Sequence, residues 1–184
     1  LFHKPLLLHY YVTTVCNCRC SFCNIPSQKG VTAGIEEIKT NLSHAKRIGV
    51  RFVDFTGGEP LLFNDLPEAL RAAKENRLIT SITTNGLLLK KRAGELVGLI
   101  DLPRISIDGS EKIHNKIRGV DCYSAAIEGL GEAVKKGIRF DIIFTLTEHN
   151  RNEIEHVYHI ARKHKAVLIL DPAFSYFGND NYTE

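Results

Sequence analysis

The sequence predicts an α/β fold of six parallel strands, and three observations lead there. Short runs rich in Val, Ile, Phe and Thr recur along the chain. Stretches of amphipathic, helical period separate them. The β-rich runs are short and mostly apolar, as strands covered on both faces are. Strand–helix–strand repetition implies parallel pairing with right-handed crossovers.

The elements follow in order. Residues 6–14 (LLLHYYVTT) form the first strand. Residues 35–48 place Ile35, Ile38, Leu42, Ala45 and Ile48 on one helical face. The next strand is 51–56 (RFVDFT), followed by a helix at 66–74. A third strand at 79–84 (ITSITT) precedes a helix at 90–99. Residues 104–107 (RISI) make the fourth strand and 124–136 a helix. A fifth strand at 139–146 (RFDIIFTL) leads to a helix at 152–165, and 166–170 (AVLIL) is the sixth strand. These are six β-then-α units lacking the last helix. They suit an open doubly wound sheet or an incomplete barrel. A closed eight-unit barrel needs about 250 residues, more than the 184 present.

The composition excludes several classes. Hydrophobic residues are 43% and charged residues 24%, ordinary for a globular protein and too apolar for a disordered one. A net charge of +3, without a basic run, argues against a nucleic-acid partner. No apolar run approaches the roughly 20 residues of a membrane span, and residues 1–8 do not read as a signal peptide. One domain over 1–184 is expected, its polar, aromatic end (171–184) suiting continuation into a C-terminal extension.

Of five cysteines, Cys16, Cys18, Cys20 and Cys23 fall within eight residues, directly after the first strand. Ligands gather at the carboxyl ends of parallel strands. Thiolates this close repel one another unless a cation neutralises them, so a metal in a reducing compartment is the simplest account. Structural zinc usually takes two separated pairs of ligands, and Cys122 stands alone. Cys16, Cys20 and Cys23 give the spacing C-x3-C-x2-C. Three such thiolates can hold three irons of a 4Fe–4S cube and leave the fourth iron open.

This segment resembles the signature of the radical S-adenosylmethionine (radical SAM) superfamily, C-x3-C-x-aromatic-C, with Phe22 at the aromatic position. Later strand ends carry further likenesses. Gly57-Gly58-Glu59-Pro60 resembles the GGEP motif, Thr84-Asn85-Gly86 the T-N-G turn, Ser106-Ile107-Asp108-Gly109 the S-(I/L)-D-G segment, and His114 to Gly119 the H-x-x-x-R-G loop. The resemblance implies a partial (β/α)6 TIM-like barrel with parallel strands, and a 4Fe–4S cluster on Cys16, Cys20 and Cys23. It implies that S-adenosyl-L-methionine is cleaved reductively to a 5′-deoxyadenosyl radical, which takes hydrogen from a substrate. It further implies that Gly57, Gly58 and Glu59 receive the methionyl amino group. Asn85 would lie beside the cofactor, Ser106, Asp108 and Arg118 would serve its ribose and carboxylate, and Phe22 would pack near the adenine.

Cys18 departs from the family pattern and reads as a small side chain filling a slot, with an alternative ligand as the rival. Asn150 and Asn152 read as helix caps, His156, His159 and His164 as solvated helix positions, and Cys122 as a small residue opening a helix. The expectation is a cytoplasmic, oxidoreductase- or transferase-type enzyme. Its substrate is a small molecule, lipid or peptide, and its electrons come from a flavodoxin or ferredoxin. The rivals are an iron–sulfur electron-transfer module without turnover and a zinc-stabilised binding domain.

Overall fold

The computed structural model describes residues 4–173. Expectations placed on residues 1–3 and on the end from 174 lie outside them. The described chain alternates β1 (Leu7–Thr13), α1 (Ile35–Ile48), β2 (Phe52–Gly57), α2 (Leu66–Glu75), β3 (Ile79–Thr84) and α3 (Leu89–Leu96). It continues through β4 (Leu102–Ser106), α4 (Glu111–Arg118), α5 (Tyr123–Lys135), β5 (Asp141–Leu146), α6 (Ile154–His164) and β6 (Leu168–Pro172). The strands form one parallel sheet in the order β1-β2-β3-β4-β5-β6. A doubly wound sheet reverses its strand order near the middle. This one does not, so the strands make an open arc of a TIM-like barrel.

The two sheet faces differ by the period-two alternation of the strands. Val53, Phe55, Ile82, Ile105, Ile142 and Phe144 are fully buried and share one core with Ile38 and Leu42 of α1 and Leu130 of α5. Each such side chain contributes about 1.5–3 kcal/mol by leaving water. The intervening residues carry polar groups. Asp54 faces His9 Nδ1 at 3.3 Å and pairs with Arg104 Nη2 at 2.7 Å. Arg104 also donates to Thr83 Oγ1 and Ser81 Oγ, both at 3.0 Å. This row ties the first four strands together across the concave side.

Most differences from the expected boundaries are shifts of one or two residues; the helix expected at 90–99 ends three residues early, at Leu96. The expected helix at 152–165 divides into a 3-10 turn, Arg151–Glu153, and α6. One element is new: the segment read as an H-x-x-x-R-G loop is the helix α4. It has only eight residues, so it shows little periodicity. It ends at Gly119, whose φ of 70° is the left-handed conformation that stops a helix cheaply. No helix among the described residues is long and apolar enough to cross a membrane.

Candidate functional site

The cysteine segment is a loop pinned at its neck and at its far side. At the neck, Thr14 N donates to Val31 O at 2.8 Å and Ala33 N to Val12 O at 2.9 Å. At the far side, Arg19 N donates to Arg118 O and Ser21 N to Ile117 O, both at 2.9 Å. The loop therefore leans on the last turn of α4. A Cβ at Gly119 would come within 2.3 Å of Arg19 O, so this approach requires glycine. Cys16, Cys18, Cys20, Phe22 and Cys23 line one cavity of about 200 Å³ at the carboxyl ends of the strands.

The turn after β2 meets the same loop. Gly58 N donates to Thr13 O at 2.7 Å and Glu59 N to Val15 O at 2.9 Å. Cβ atoms at Gly57 and Gly58 would lie 2.1 and 2.2 Å from the Thr13 and Val15 carbonyl oxygens. The glycine pair thus lets two backbones touch, and those two amides are already used. Glu59 is buried and accepts from Thr84 Oγ1 at 2.6 Å, Asn85 N at 2.8 Å and Leu61 N at 3.0 Å. Burial pushes its carboxyl up from the usual range, against these three donors. It braces the turn after β3 while also lining the cavity. Asn85 reaches back to the loop through Nδ2, which donates to Asn17 Oδ1 at 2.7 Å. Asn17 went unnoticed in the sequence because its partner is 68 residues away.

Ser106 and Arg118 reach the cavity wall. Asp108, expected beside the cofactor, is not on that wall. It is fully buried, and both carboxylate oxygens are taken: Oδ2 accepts from Arg118 Nε at 2.5 Å and Oδ1 from Thr145 N at 2.8 Å. Asp108 aims Arg118. The guanidinium lies 5.5 Å from the Phe22 ring centroid and its Nη1 is 3.7 Å from Cys20 Sγ. Its Nη2 is buried and has no hydrogen-bond partner among the described residues. Burial alone would lower the Arg118 pKa, but Asp108 and the Cys20 sulfur outweigh it and hold the group firmly charged. Asn150 corrects an expectation. Its side chain makes no helix cap; Nδ2 donates to Asp108 O and Thr145 O, and Oδ1 accepts from Thr147 N. It fastens the end of β5 to the end of β4. Asn152, His156 and His159 are exposed.

The thiols are unequal. Cys20 is held down to about 7, first by a hydrogen bond from Cys18 and then, against burial, by the charge of Arg118. Cys16 is lowered for the same leading reason, whereas burial raises Cys23. Cys18 is itself pushed far up, foremost by its hydrogen bond to Cys122. All five cysteines are free thiols. The ligand-spaced cysteines share one cavity, but no three His, Cys, Asp or Glu side chains among the described residues converge as ligands of a single ion. A larger apolar groove of about 690 Å³ lies between α6 and β6, lined by Tyr158, Leu168 and Leu170. It holds none of these groups.

Comparison with known proteins shows the family. The family model described as the radical SAM superfamily matches residues 10–161. A protein of Sulfurisphaera tokodaii named probable GTP 3',8-cyclase is 35% identical over 161 residues, covering 84% of this chain and 51% of its own length. Its namesake in Saccharolobus solfataricus is 36% identical over 160 residues, covering 83% and 52%. The chain spans about half the length of the curated relatives it matches. Among solved structures, Streptococcus suis SuiB bound to S-adenosylmethionine superposes with a TM-score of 0.85 at 25% identity, over 98% of this chain and 43% of that one. The protein anSMEcpe with bound AdoMet and a peptide shares the fold, with a TM-score of 0.77 at 21% identity over 97% and 54%.

Proposed function

The chain belongs to the radical SAM superfamily, whose members use a 4Fe–4S cluster and S-adenosylmethionine, and on that premise we propose that the cavity at its strand ends is where both are held. Cys16, Cys20 and Cys23 serve as the cluster ligands. Arg118 takes the carboxylate of the methionyl group. The observation that carries this reading is the partnerless Nη2 of Arg118, a buried cationic donor on the same wall as the thiols. A buried donor left unpaired costs about 1–3 kcal/mol or more, and an anion in the cavity removes that cost.

The remaining residues divide the work. Asp108 holds Arg118 in line through Nε. Phe22 stacks on the guanidinium and offers an apolar wall to the adenine. Gly57, Gly58 and Glu59 face the methionyl amino group, with Glu59 acting by charge while its oxygens brace Thr84 and Asn85. Ser106 and Asn85 serve the ribose edge. When bound, the cluster and the sulfonium together supply a one-electron cleavage and a carbon radical able to take hydrogen from a C–H bond. The protein orients the reactants and keeps water out. The free thiols suit the reducing cytoplasm, and the electron comes from a flavodoxin- or ferredoxin-type donor.

On substrate, the identity of 35% and 36% to the GTP 3',8-cyclases, against 25% to SuiB, favours a nucleoside triphosphate. Anaerobic reconstitution tests the whole reading. One 4Fe–4S cluster per chain is expected, with an electron paramagnetic resonance (EPR) signal that changes on adding S-adenosylmethionine. Dithionite should then release 5′-deoxyadenosine, and GTP should raise the yield. A cluster whose spectrum ignores S-adenosylmethionine would favour a plain electron-transfer module. Zinc in place of iron would favour a binding domain.

A further inference from the structure

Arg118 keeps one donor free although a carboxylate lies beside it. A guanidinium presents its Nε and Nη2 hydrogens side by side, a fork that matches the two oxygens of a carboxylate. Asp108 fills only half of that fork. Its Oδ2 accepts from Arg118 Nε at 2.5 Å, and Nη2 is left without a hydrogen-bond partner among the described residues. The other oxygen, Oδ1, accepts from Thr145 N at 2.8 Å instead. A bond to a neutral amide is weaker than the charge-assisted bond it displaces, so the scaffold has to hold this arrangement in place.

Two buried side chains supply the hold. Asn150 is 1% exposed. Its Nδ2 donates to Asp108 O at 3.0 Å and to Thr145 O at 2.9 Å. Its Oδ1 accepts from Thr147 N at 2.7 Å and from Thr147 Oγ1 at 3.0 Å. One carboxamide therefore sets the spacing between the residue that bears the carboxylate and the residue whose amide diverts it. His114, fully buried, takes the other end of Asp108: Asp108 N donates to His114 Nδ1 at 3.0 Å.

We propose that Asn150, with His114 as a second support, is a positioning residue for the cofactor: it keeps Asp108 Oδ1 on the Thr145 amide, prevents a closed Asp108–Arg118 fork and so reserves Nη2 for the methionyl carboxylate. This rests on the assignment of Arg118 made above. Without Asn150 the Thr145 amide drifts from Oδ1, and the freed oxygen closes on Nη2. The protein's own carboxylate then occupies the donor that the ligand's carboxylate needs.

The test compares S-adenosylmethionine with its decarboxylated analogue, each bound to anaerobically reconstituted protein and measured by equilibrium dialysis. Wild type should prefer the carboxylated form. Asn150→Ala should bind S-adenosylmethionine about tenfold more weakly, the loss of one hydrogen bond between charged groups, with its affinity for the analogue unchanged. His114→Phe keeps the ring volume and removes the acceptor, and should show the same selective loss. His114→Asn, which returns an oxygen near the Nδ1 position, should restore the preference. Equal weakening toward both ligands in Asn150→Ala, as a merely structural role predicts, would overturn the inference, as would no weakening. Should Asn150→Ala fail to fold, an unchanged preference in His114→Phe, or a loss that His114→Asn does not recover, would still overturn it. A wild type that takes up no cluster, or that binds both ligands alike, would instead overturn the assignments made above, and this inference with them.

Discussion

The two faces of the sheet are made by the same strands and obey different rules. In β2, Val53 and Phe55 sit in a dry core, while Asp54 between them joins the row that links His9, Arg104, Ser81 and Thr83. The helix-covered face gains its energy from area, so any apolar side chain of similar volume serves. The concave face gains its energy from pairing, so each group depends on a named partner. Continuing that face upward leads to Ser106, Arg118 and the thiols, where one pairing is left open. Stability is concentrated on one side of the strands, and chemistry on the side and end where a partner is still owed.

The sharpest way to break this contrast is at its chemical end. Cys20→Ala should reduce iron uptake and 5′-deoxyadenosine release to background. The thermal transition should stay near wild type, because the loop is pinned by backbone bonds at neck and far side; iron analysis beside circular dichroism reads both. Phe55→Ala probes the other face and should cost about 3–5 kcal/mol in urea unfolding, leaving the iron content of the folded fraction unchanged. Arg118→Met falls on both sides of the contrast. It strands the Asp108 carboxylate in the interior, about 3–5 kcal/mol, and should also abolish the EPR change on adding S-adenosylmethionine. Lower down the concave face the effects shrink. Arg104→Met, in a half-buried ion pair, should cost about 1–2 kcal/mol by denaturation without altering cofactor binding.

The smallest effect concerns pH. The Ser110 N–H donates to Glu153 at 2.6 Å and holds that carboxyl below its ordinary value. An acid with a depressed pKa stabilises the fold above its unfolded pKa of about 4.3. That share is lost as pH falls through the lower, folded value. Glu153→Gln should flatten the acid limb of the urea midpoint measured against pH, below about pH 5.

The helix-covered face was legible in the sequence because its signal is periodic. The apolar spacing in 35–48 marked both ends of α1, and 79–84 marked β3. The cysteine segment, GGEP turn, Asn85, Ser106 and Arg118 were legible because local motifs carry them, and the fold brings them to one cavity. What stayed hidden depends on contacts distant in sequence. Asp54 goes unremarked inside its strand until Arg104 lies beside it, and Cys122 reads as a small residue opening a helix until His114 Nε2 lies against its sulfur. Asp108 looked like a ligand-facing carboxylate because alternation gives its direction, yet alternation says nothing of the arginine already waiting there. α4 was overlooked for want of length; its available signal was Ser110 before Glu111 and Gly119 after Arg118.

The two backbone bonds from Arg19 and Ser21 to the end of α4 also bear on how iron arrives. A floppy tether would have to surrender its conformational entropy at the moment of loading, about 1–2 kcal/mol for each residue brought to order. Here that ordering is completed during folding, so a delivery protein would meet a ready-made receptacle. Assembly should then be limited by the supply of iron and sulfide rather than by the search of the polypeptide for its shape.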